Sequence, residues 1–419
     1  MKILLTSHGS TGDLYPVIGL GRALREAGHT VNFASAPLYR EEIERAGLGF
    51  RHLPPDWKQE IFVEAMRELD RQKHPILLLR QIFRSGLSFM KDLIDELANH
   101  LEEHDILVGS YLFPQYKSLC DRVGKPFAVV NFCHSVVPRE DLPPEGIFSL
   151  RGLPRGWQKA WNRLWWAVAD RVICRVVNSV VQGVLKEKNL PPLDSYLRRP
   201  ADLCLVAVSP GLMKPPSVAE RFVFTGYLRW QSAPDEALEQ KVQAFTQGEK
   251  VPVLTFGSVA FDHIPEVMGR FSARWPVGRK IIVQSGWAGL SVDLSRQDIL
   301  VVGKVSHDQL FRHASVVIHH GGAGTTASVL HAGVPQVVIP HFGDQYFWAE
   351  TVRGLGVGRI LRKRYWPERL GTRVQSVEKA SAYAEKARAA AALLAQEDGP
   401  GKAVRALENF VQKSRVTGS

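Results

Sequence analysis

The chain is poor in cysteine: 419 residues hold only Cys120, Cys133, Cys174 and Cys204, with neither paired spacing nor a Cys-x-x-Cys. That excludes a zinc ribbon or disulfide scaffold, and it fits a reducing, cytoplasmic setting. No apolar run approaches the roughly 18 residues of a membrane span, so no transmembrane helix is expected. The opening stretch Lys2–Gly9 breaks before the about 7–15 apolar residues of a signal-peptide core and reads instead as a first β-strand. No nucleic-acid motif is found, and the arginines are dispersed, so nucleic acid is not an expected partner. What is present is ordinary globular composition, 45% hydrophobic and 23% charged. Lys plus Arg outnumber Asp plus Glu by 53 to 42, a net charge of +11 that suits an anionic small ligand or membrane surface as well as simple solubility.

Short β-branched runs alternate with amphipathic helical stretches. Strands are predicted over 1–6, 30–34, 106–109 and 127–131, with a helix over 15–28 and helical residues over 61–101. A second series follows: strands over 251–256, 280–284, 299–302, 316–319 and 336–339, then a helical segment over 376–410 with a break at Glu397–Gly401. Strands alternating with helices predict βαβ units and parallel sheets. The Pro- and Gly-bearing stretch 210–235 reads as a connection. The expected organisation is two doubly wound Rossmann-like domains, 1–228 and 229–419, with the final helix free to pack back on the first. Ligands in such sheets bind beyond the carboxyl ends of the strands, so the expected site is the cleft between the domains.

The most informative stretch is His319-His320-Gly321-Gly322-Ala323-Gly324-Thr325-Thr326, between an apolar strand and a helical pattern. Small residues let backbone approach a ligand, and the helix start offers unpaired N–H groups: an anion site suited to a diphosphate. His320, Thr325 and Thr326 add side-chain donors. Downstream, Pro340-His341-Phe342-Gly343-Asp344-Gln345 places an acid beside an amide at the next strand end. Such a pair can hold vicinal hydroxyls; the competing role for Asp344 is to cap the helix over 346–355. Phosphate and diol binding side by side describe a nucleotide-sugar site.

Ser315–Thr326, Ala332–Pro335 and Gly343–Ala349 resemble the donor motif of the family 1 glycosyltransferases, especially the sterol-type UDP-glucosyltransferases. The resemblance extends to Phe256-Gly257-Ser258, Gln284–Leu290, Glu397–Gly399 and Gly9–Pro16. It implies the GT-B fold, with the acceptor bound by the first domain and the donor by the second. It implies that His320 and the following amides, with Gly322 and Gly324, hold the diphosphate, helped by Ser258 and Thr325. Gly12, Trp287 and Thr326 complete the implied donor set, and Asp344 and Gln345 take the sugar hydroxyls. Two positions depart from the plant pattern: Lys304 stands where a Trp stacks on uracil, and Ser328 where a Glu holds the ribose. The implied reaction is transfer of glucose from UDP-glucose with inversion. No Asp-x-Asp occurs to hold a divalent ion on the diphosphate, so neither metal nor other cofactor is expected.

Asp13 follows the first strand, at a place where relatives carry His or Asp as the base. Ser110 matches the position of the Asp that orients a His base. An Asp base needs no tautomer-selecting partner, so the two differences agree. Burial would raise the Asp13 pKa toward that of a useful base. Its competing role is to cap the helix beginning at Leu14, with His8 and His134 as reserve bases. On the acceptor side, the segment 157–181 sets Trp157, Trp161, Trp165, Val168 and Val172 on one helical face, among arginines. It reads as pocket wall or as a peripheral membrane contact. With Phe83 in the apolar segment 76–90, and His134, it implies a hydrophobic acceptor bearing one hydroxyl: a sterol, terpenoid, polyphenol or hydroxy-lipid. The alternatives are a rhamnosyltransferase using dTDP-rhamnose, an epimerase of the same fold and a catalytically silent nucleotide-sugar-binding subunit. A dehydrogenase is disfavoured, because Gly19-Leu20-Gly21 lies inside a helical pattern.

Overall fold

The computed structural model describes all residues except 73, 114, 151, 217, 231–233, 288, 291, 293–294, 304 and 418–419, and the side chains of 415–417. Its contacts divide into two units: residues 1–58, 74–230 and 398–419 form the first, and 59–73 with 231–397 the second.

Among the described residues, the first unit is built on a seven-stranded parallel sheet. Its strands are β1 (Lys2–Thr6), β2 (Thr30–Ser35), β3 (Gly49–His52), β4 (Ile106–Ser110), β5 (Phe127–Asn131), β6 (Leu203–Val206) and β7 (Phe222–Phe224), in the order β3-β2-β1-β4-β5-β6-β7. The helices in this part of the chain are α1 (Thr11–Glu26), α2 (Arg40–Arg45), α3 (Gln59–Arg71), α4 (Pro75–Ser85), α5 (Leu87–Glu102), α6 (Gln115–Val123) and α7 (Arg155–Glu187). Of these, α3 belongs to the second unit. The strand order reverses between β1 and β4, so the loops leaving these strands open a crevice at the carboxyl edge.

The second unit holds a six-stranded parallel sheet of β8 (Val251–Thr255), β9 (Ile281–Gln284), β10 (Ile299–Val302), β11 (Ala314–His319), β12 (Gln336–Val338) and β13 (Gly358–Ile360), in the order β10-β9-β8-β11-β12-β13. The later helices are α8 (Glu236–Thr246), α9 (Ile264–Arg274), α10 (His307–Phe311), α11 (Ala323–Ala332), α12 (Gln345–Leu355), α13 (Leu370–Glu378), α14 (Ser381–Leu394) and α15 (Gly399–Thr417). Each β8 side chain is buried, alternately toward two cores: Val251 and Val253 pack with Ile282 and Val317, whereas Leu254 packs with Val283 and Ile318. That double burial is why the strands read as unbroken apolar runs. The reversal here falls between β8 and β11.

Several expectations are corrected. The helix predicted over 15–28 begins four residues earlier, at Thr11, and tolerates Pro16 inside it. The stretch 210–235 is not all connection, because β7 pairs with β6 at the sheet edge. The helical run 61–101 is three helices, and 376–410 breaks at Lys379–Ala380 as well as before Gly399. The last helix, α15, lies in the first unit. Its Ala403, Leu407 and Val411 are buried, and Glu408 Oε1 accepts from His29 Nε2 at 2.9 Å. No helix among the described residues is long and apolar enough to cross a membrane.

Candidate active site

At the carboxyl edge of the second sheet, side chains at the strand ends fix the loops before any ligand is considered. Thr255 Oγ1 donates to Gln284 Oε1 at 2.7 Å and accepts from the Gly257 amide at 3.2 Å. Gln284 Nε2 donates to the Val305 carbonyl at 3.1 Å. The Trp287 amide donates to the Gly257 carbonyl at 3.0 Å, across a space that a side chain at Gly286 would fill: a Cβ there would lie 2.2 Å from that oxygen. Ser258 is thereby held, buried, beyond β8. Trp287 packs edge-on against Phe62 of α3.

His319 organises the turn after β11. The Gly321 amide donates to its Nδ1 at 3.1 Å, so Nε2 carries the proton and donates to Gln336 Oε1 at 2.8 Å. Burial holds this imidazole neutral, with a pKa down at about 4. Gly321 has φ +91°, and a Cβ there would meet Val338 at 2.7 Å, so this turn requires glycine. The His320 ring then lies over Gly322, where a Cβ would come within 2.4 Å of its Nε2. His320 is buried, and its Nδ1 has no hydrogen-bond partner among the described residues; the same is true of Thr326 Oγ1. Burial, then the neighbouring histidines, drive the His320 pKa well below the ordinary value. The unliganded side chain is therefore neutral.

The helical pattern after the glycines starts at Ala323, so Gly324, Thr325 and Thr326 lie in its first turn, with Ser328 half-buried two residues beyond. Its N-cap is Gly322, which offers no side-chain cap. The first amides of this ten-residue helix therefore face the loop with the positive end of the dipole behind them. Asp344 occupies the N-cap position of α12, exposed, and makes no side-chain cap bond. Gln345 is buried, and its Oε1 accepts from the amides of His341 at 2.8 Å and Phe342 at 3.3 Å. Its carboxamide oxygen thus shapes the loop. Lys304 lies outside the described residues.

In the first unit, Asp13 is the N3 residue of α1 and Ser10 the N-cap. Asp13 Oδ2 accepts from the Ser10 amide at 2.9 Å and from Ser10 Oγ at 3.1 Å, while the Gly12 amide donates to Ser10 Oγ at 3.2 Å. The cap is Ser10 and not Asp13, a correction to the helix start; Asp13 closes a capping box behind it. Gly9 has φ +124°, and a Cβ there would strike Asp13 Oδ2 at 2.5 Å. Burial raises the Asp13 pKa, against the opposing Ser10 hydrogen bonds. His8 is buried against Phe113 and Tyr116, and burial lowers its pKa to about 4. His134, beside Phe224, is also lowered to about 4 by burial, then by Arg139. Ser110 Oγ accepts from the Leu112 amide at 3.3 Å.

The tryptophan face of α7 does not form the core. Trp166 alone of the four is buried, and the buried stripe runs through Asn162, Trp166, Asp170, Cys174, Val177 and Val181. Asp170 anchors that stripe, accepting from Ser195 Oγ and the amides of Tyr196 and Leu197. Trp161 is half-buried between Phe148 and Trp165, while Trp157 is 70% exposed. Phe83 is buried edge-on to Tyr196.

Residues 3–89 match the glycosyltransferase family 28 N-terminal domain, and residues 281–410 the erythromycin biosynthesis protein CIII-like C-terminal domain. The vancomycin aglycone glucosyltransferase of Amycolatopsis orientalis is 27% identical over 85% of both chains. A sterol 3-beta-glucosyltransferase of Candida albicans is 26% identical over 86% of this chain, which spans only 24% of that longer protein. In fold, the chain is similar to the glycotransferase of kitacinnamycin, with a TM-score of 0.71, 20% identity and coverage of 98% of this chain and 99% of that one.

Proposed function

The chain belongs to the GT-B glycosyltransferases, with a family 28 N-terminal domain and a CIII-like C-terminal domain, and on that footing we propose that it transfers glucose from UDP-glucose to a hydroxyl of an apolar acceptor. The observation that carries the donor half is the loop after β11. An uncapped helix start, a buried His320 with an unpartnered Nδ1 and glycines that admit no side chain together suit a diphosphate. Ser258 and Thr325 supply hydroxyls. Asp344, exposed at its helix start, takes a sugar hydroxyl, and Gln345 contributes its amide nitrogen. The likeness to a vancomycin aglycone glucosyltransferase and a sterol 3-beta-glucosyltransferase supports glucose and a natural-product or sterol acceptor.

Asp13 takes the proton of the acceptor hydroxyl. Its raised pKa suits it better to that task than a free carboxylate, and Ser10 fixes its orientation. The oxygen attacks the anomeric carbon from the face opposite UDP, inverting the centre, and the bond to the diphosphate breaks. The dipole of α11 and the His320 ring stabilise the departing charge, and no metal is required. Phe83, Trp161 and His134 are proposed on the acceptor side. The exposed Phe148, Trp157 and Leu164, near Arg155 and Arg171, form a peripheral membrane contact.

The test is incubation with UDP-glucose, dTDP-rhamnose and other nucleotide sugars, and a panel of sterols, polyphenols and hydroxy-lipids, with and without a chelator. A product heavier by one hexose, formed in chelator, supports the reading. A deoxyhexose gain only with dTDP-rhamnose reassigns the donor; donor epimerisation, or no reaction, rejects it. Sedimentation with anionic vesicles, lost in Trp157→Ala, checks the membrane contact.

A further inference from the structure

One buried cluster of charge in the second unit has no place in the donor set so far. Asp70 lies near the end of α3, and its side chain is 5% exposed. Its Oδ1 accepts from His341 Nδ1 at 3.1 Å, and Lys363 Nζ donates to both carboxylate oxygens at 2.7 and 2.6 Å. His341 follows β12, Lys363 follows β13, and α3 comes from a part of the chain 271 residues away from His341. A carboxylate removed from water is costly unless paired. This one is paired twice, and the shared proton is fixed on Nδ1 of the imidazole.

His341 is a junction. Its amide donates to Gln345 Oε1 at 2.8 Å, and its carbonyl accepts from the Tyr346 hydroxyl at 3.3 Å. Its ring packs against Phe256 and Phe261, with centroids 5.3 and 5.1 Å away, in the loop that carries Ser258. A shift of this ring would therefore be passed to the loop that presents the proposed sugar contacts, Asp344 and Gln345, through the two hydrogen bonds of the His341 backbone. The groups that face it are Asp70 from α3, Lys363 beyond β13, Tyr346 from α12 and His320 beyond β11.

We propose that Asp70 and His341 are a positioning pair, by which α3 sets the loop of Asp344 and Gln345 for the sugar of the donor. This deepens the donor assignment above and rests on it. Neither residue touches the reacting atoms. Their effect is on where the sugar contacts stand, so it falls on nucleotide sugar and not on free nucleotide.

The test is calorimetric titration of the full chain with UDP and with UDP-glucose, alongside melting curves. Asp70→Ala and His341→Phe, the second keeping the ring packing, are expected to weaken UDP-glucose about tenfold while UDP stays within about twofold. Asp70→Asn keeps an acceptor for Nδ1 and is expected to restore most of the loss. Arg71→Met breaks the exposed bidentate pair of the same helix with Asp262 and is expected to change neither ligand. Equal losses for both ligands, no loss, or the same loss in Arg71→Met overturns the pairing role and leaves the donor assignment standing. Failure of the unaltered chain to bind either ligand overturns both.

Discussion

Two helix starts stand beside the point where the strand order of their sheet reverses, α1 after β1 on one side of it and α11 after β11 on the other, and they are finished in opposite ways. At α1 the Ser10 side chain accepts from Gly12, and Asp13 turns back onto Ser10, so the helix start satisfies itself and holds a carboxylate in a fixed place. At α11 the cap is Gly322, with no side-chain bond, and a histidine with an unpartnered nitrogen stands over it. A helix start that is internally capped has no use for an external anion, whereas one left open invites it. On the proposed reading, the same backbone device would serve a fixed internal base in one unit and an external phosphate in the other.

The largest effect is expected at the closed start. Asn keeps the acceptor that Ser10 uses, so Asp13→Asn preserves the capping box and removes the base. Melting temperature and UDP affinity should hold, while turnover on an aliphatic alcohol falls about a hundredfold to ten-thousandfold. The loss should shrink for a phenol, whose proton is more acidic. Near-wild-type turnover on the alcohol would make Asp13 a cap partner only.

The open start breaks differently. His320→Ala should cost roughly 1.5–3 kcal/mol in kcat/KM if the contact to the diphosphate is charge-assisted. Gly322→Ala should do similar damage from the other side, because its Cβ would lie 2.4 Å from His320 Nε2. Unchanged UDP affinity in both variants would remove the diphosphate from this loop.

Acid should act on both units. His8, His134 and His319 have folded pKa values down at about 4, and His320 is also strongly lowered. As pH falls below about 6.5, the unfolded chain takes up protons that the folded chain refuses, so stability is lost between about pH 6.5 and 4. By pH 5 each of the first three contributes a loss on the order of 1–2 kcal/mol. A melting temperature flat from pH 7 to 5 would contradict this. Diphosphate should favour the charged form of His320, so UDP binding should take up a proton, visible as a buffer-dependent heat that His320→Ala removes.

The smallest effect is at Ser10. Ser10→Ala should cost about 1 kcal/mol of stability as a lost cap. It also removes a hydrogen bond that lowers the Asp13 pKa, so the acid limb of the pH–rate profile should move upward. An unmoved limb would separate Ser10 from the base.

How much of this was legible in the sequence depended on distance along the chain. Most central strands showed themselves as β-branched runs because both faces are buried, but β6 did not, since Leu203-Cys204-Leu205-Val206 holds a single β-branched residue. The edge strands β3, β7 and β13 did not: they have three or four residues, and Gly49-Phe50-Arg51-His52 owes its conformation to pairing with β2. The start of α1 was hidden because a Ser-x-x-Asp box is a weaker signal than one closed by Glu. On the donor side the glycines and His320 could be read from spacing, since they are neighbours in one loop. His319 and Gln284 could have been found as polar residues ending apolar strands. Asp70 and His341 could not, because no periodicity joins residues so far apart.

The return of α15 to the first unit has a consequence for synthesis. A ribosome releases α1 long before α15, so the α1 surface that α15 packs on stays bare until the chain of the second unit has emerged. The sheet of the second unit, which lies in the chain between β7 and α15, can form while the first unit is still incomplete. A transcript truncated before residue 398 should therefore yield an intact second sheet and an unfinished, aggregation-prone first unit. Residues of α15, added late, would then decide whether the first unit is completed.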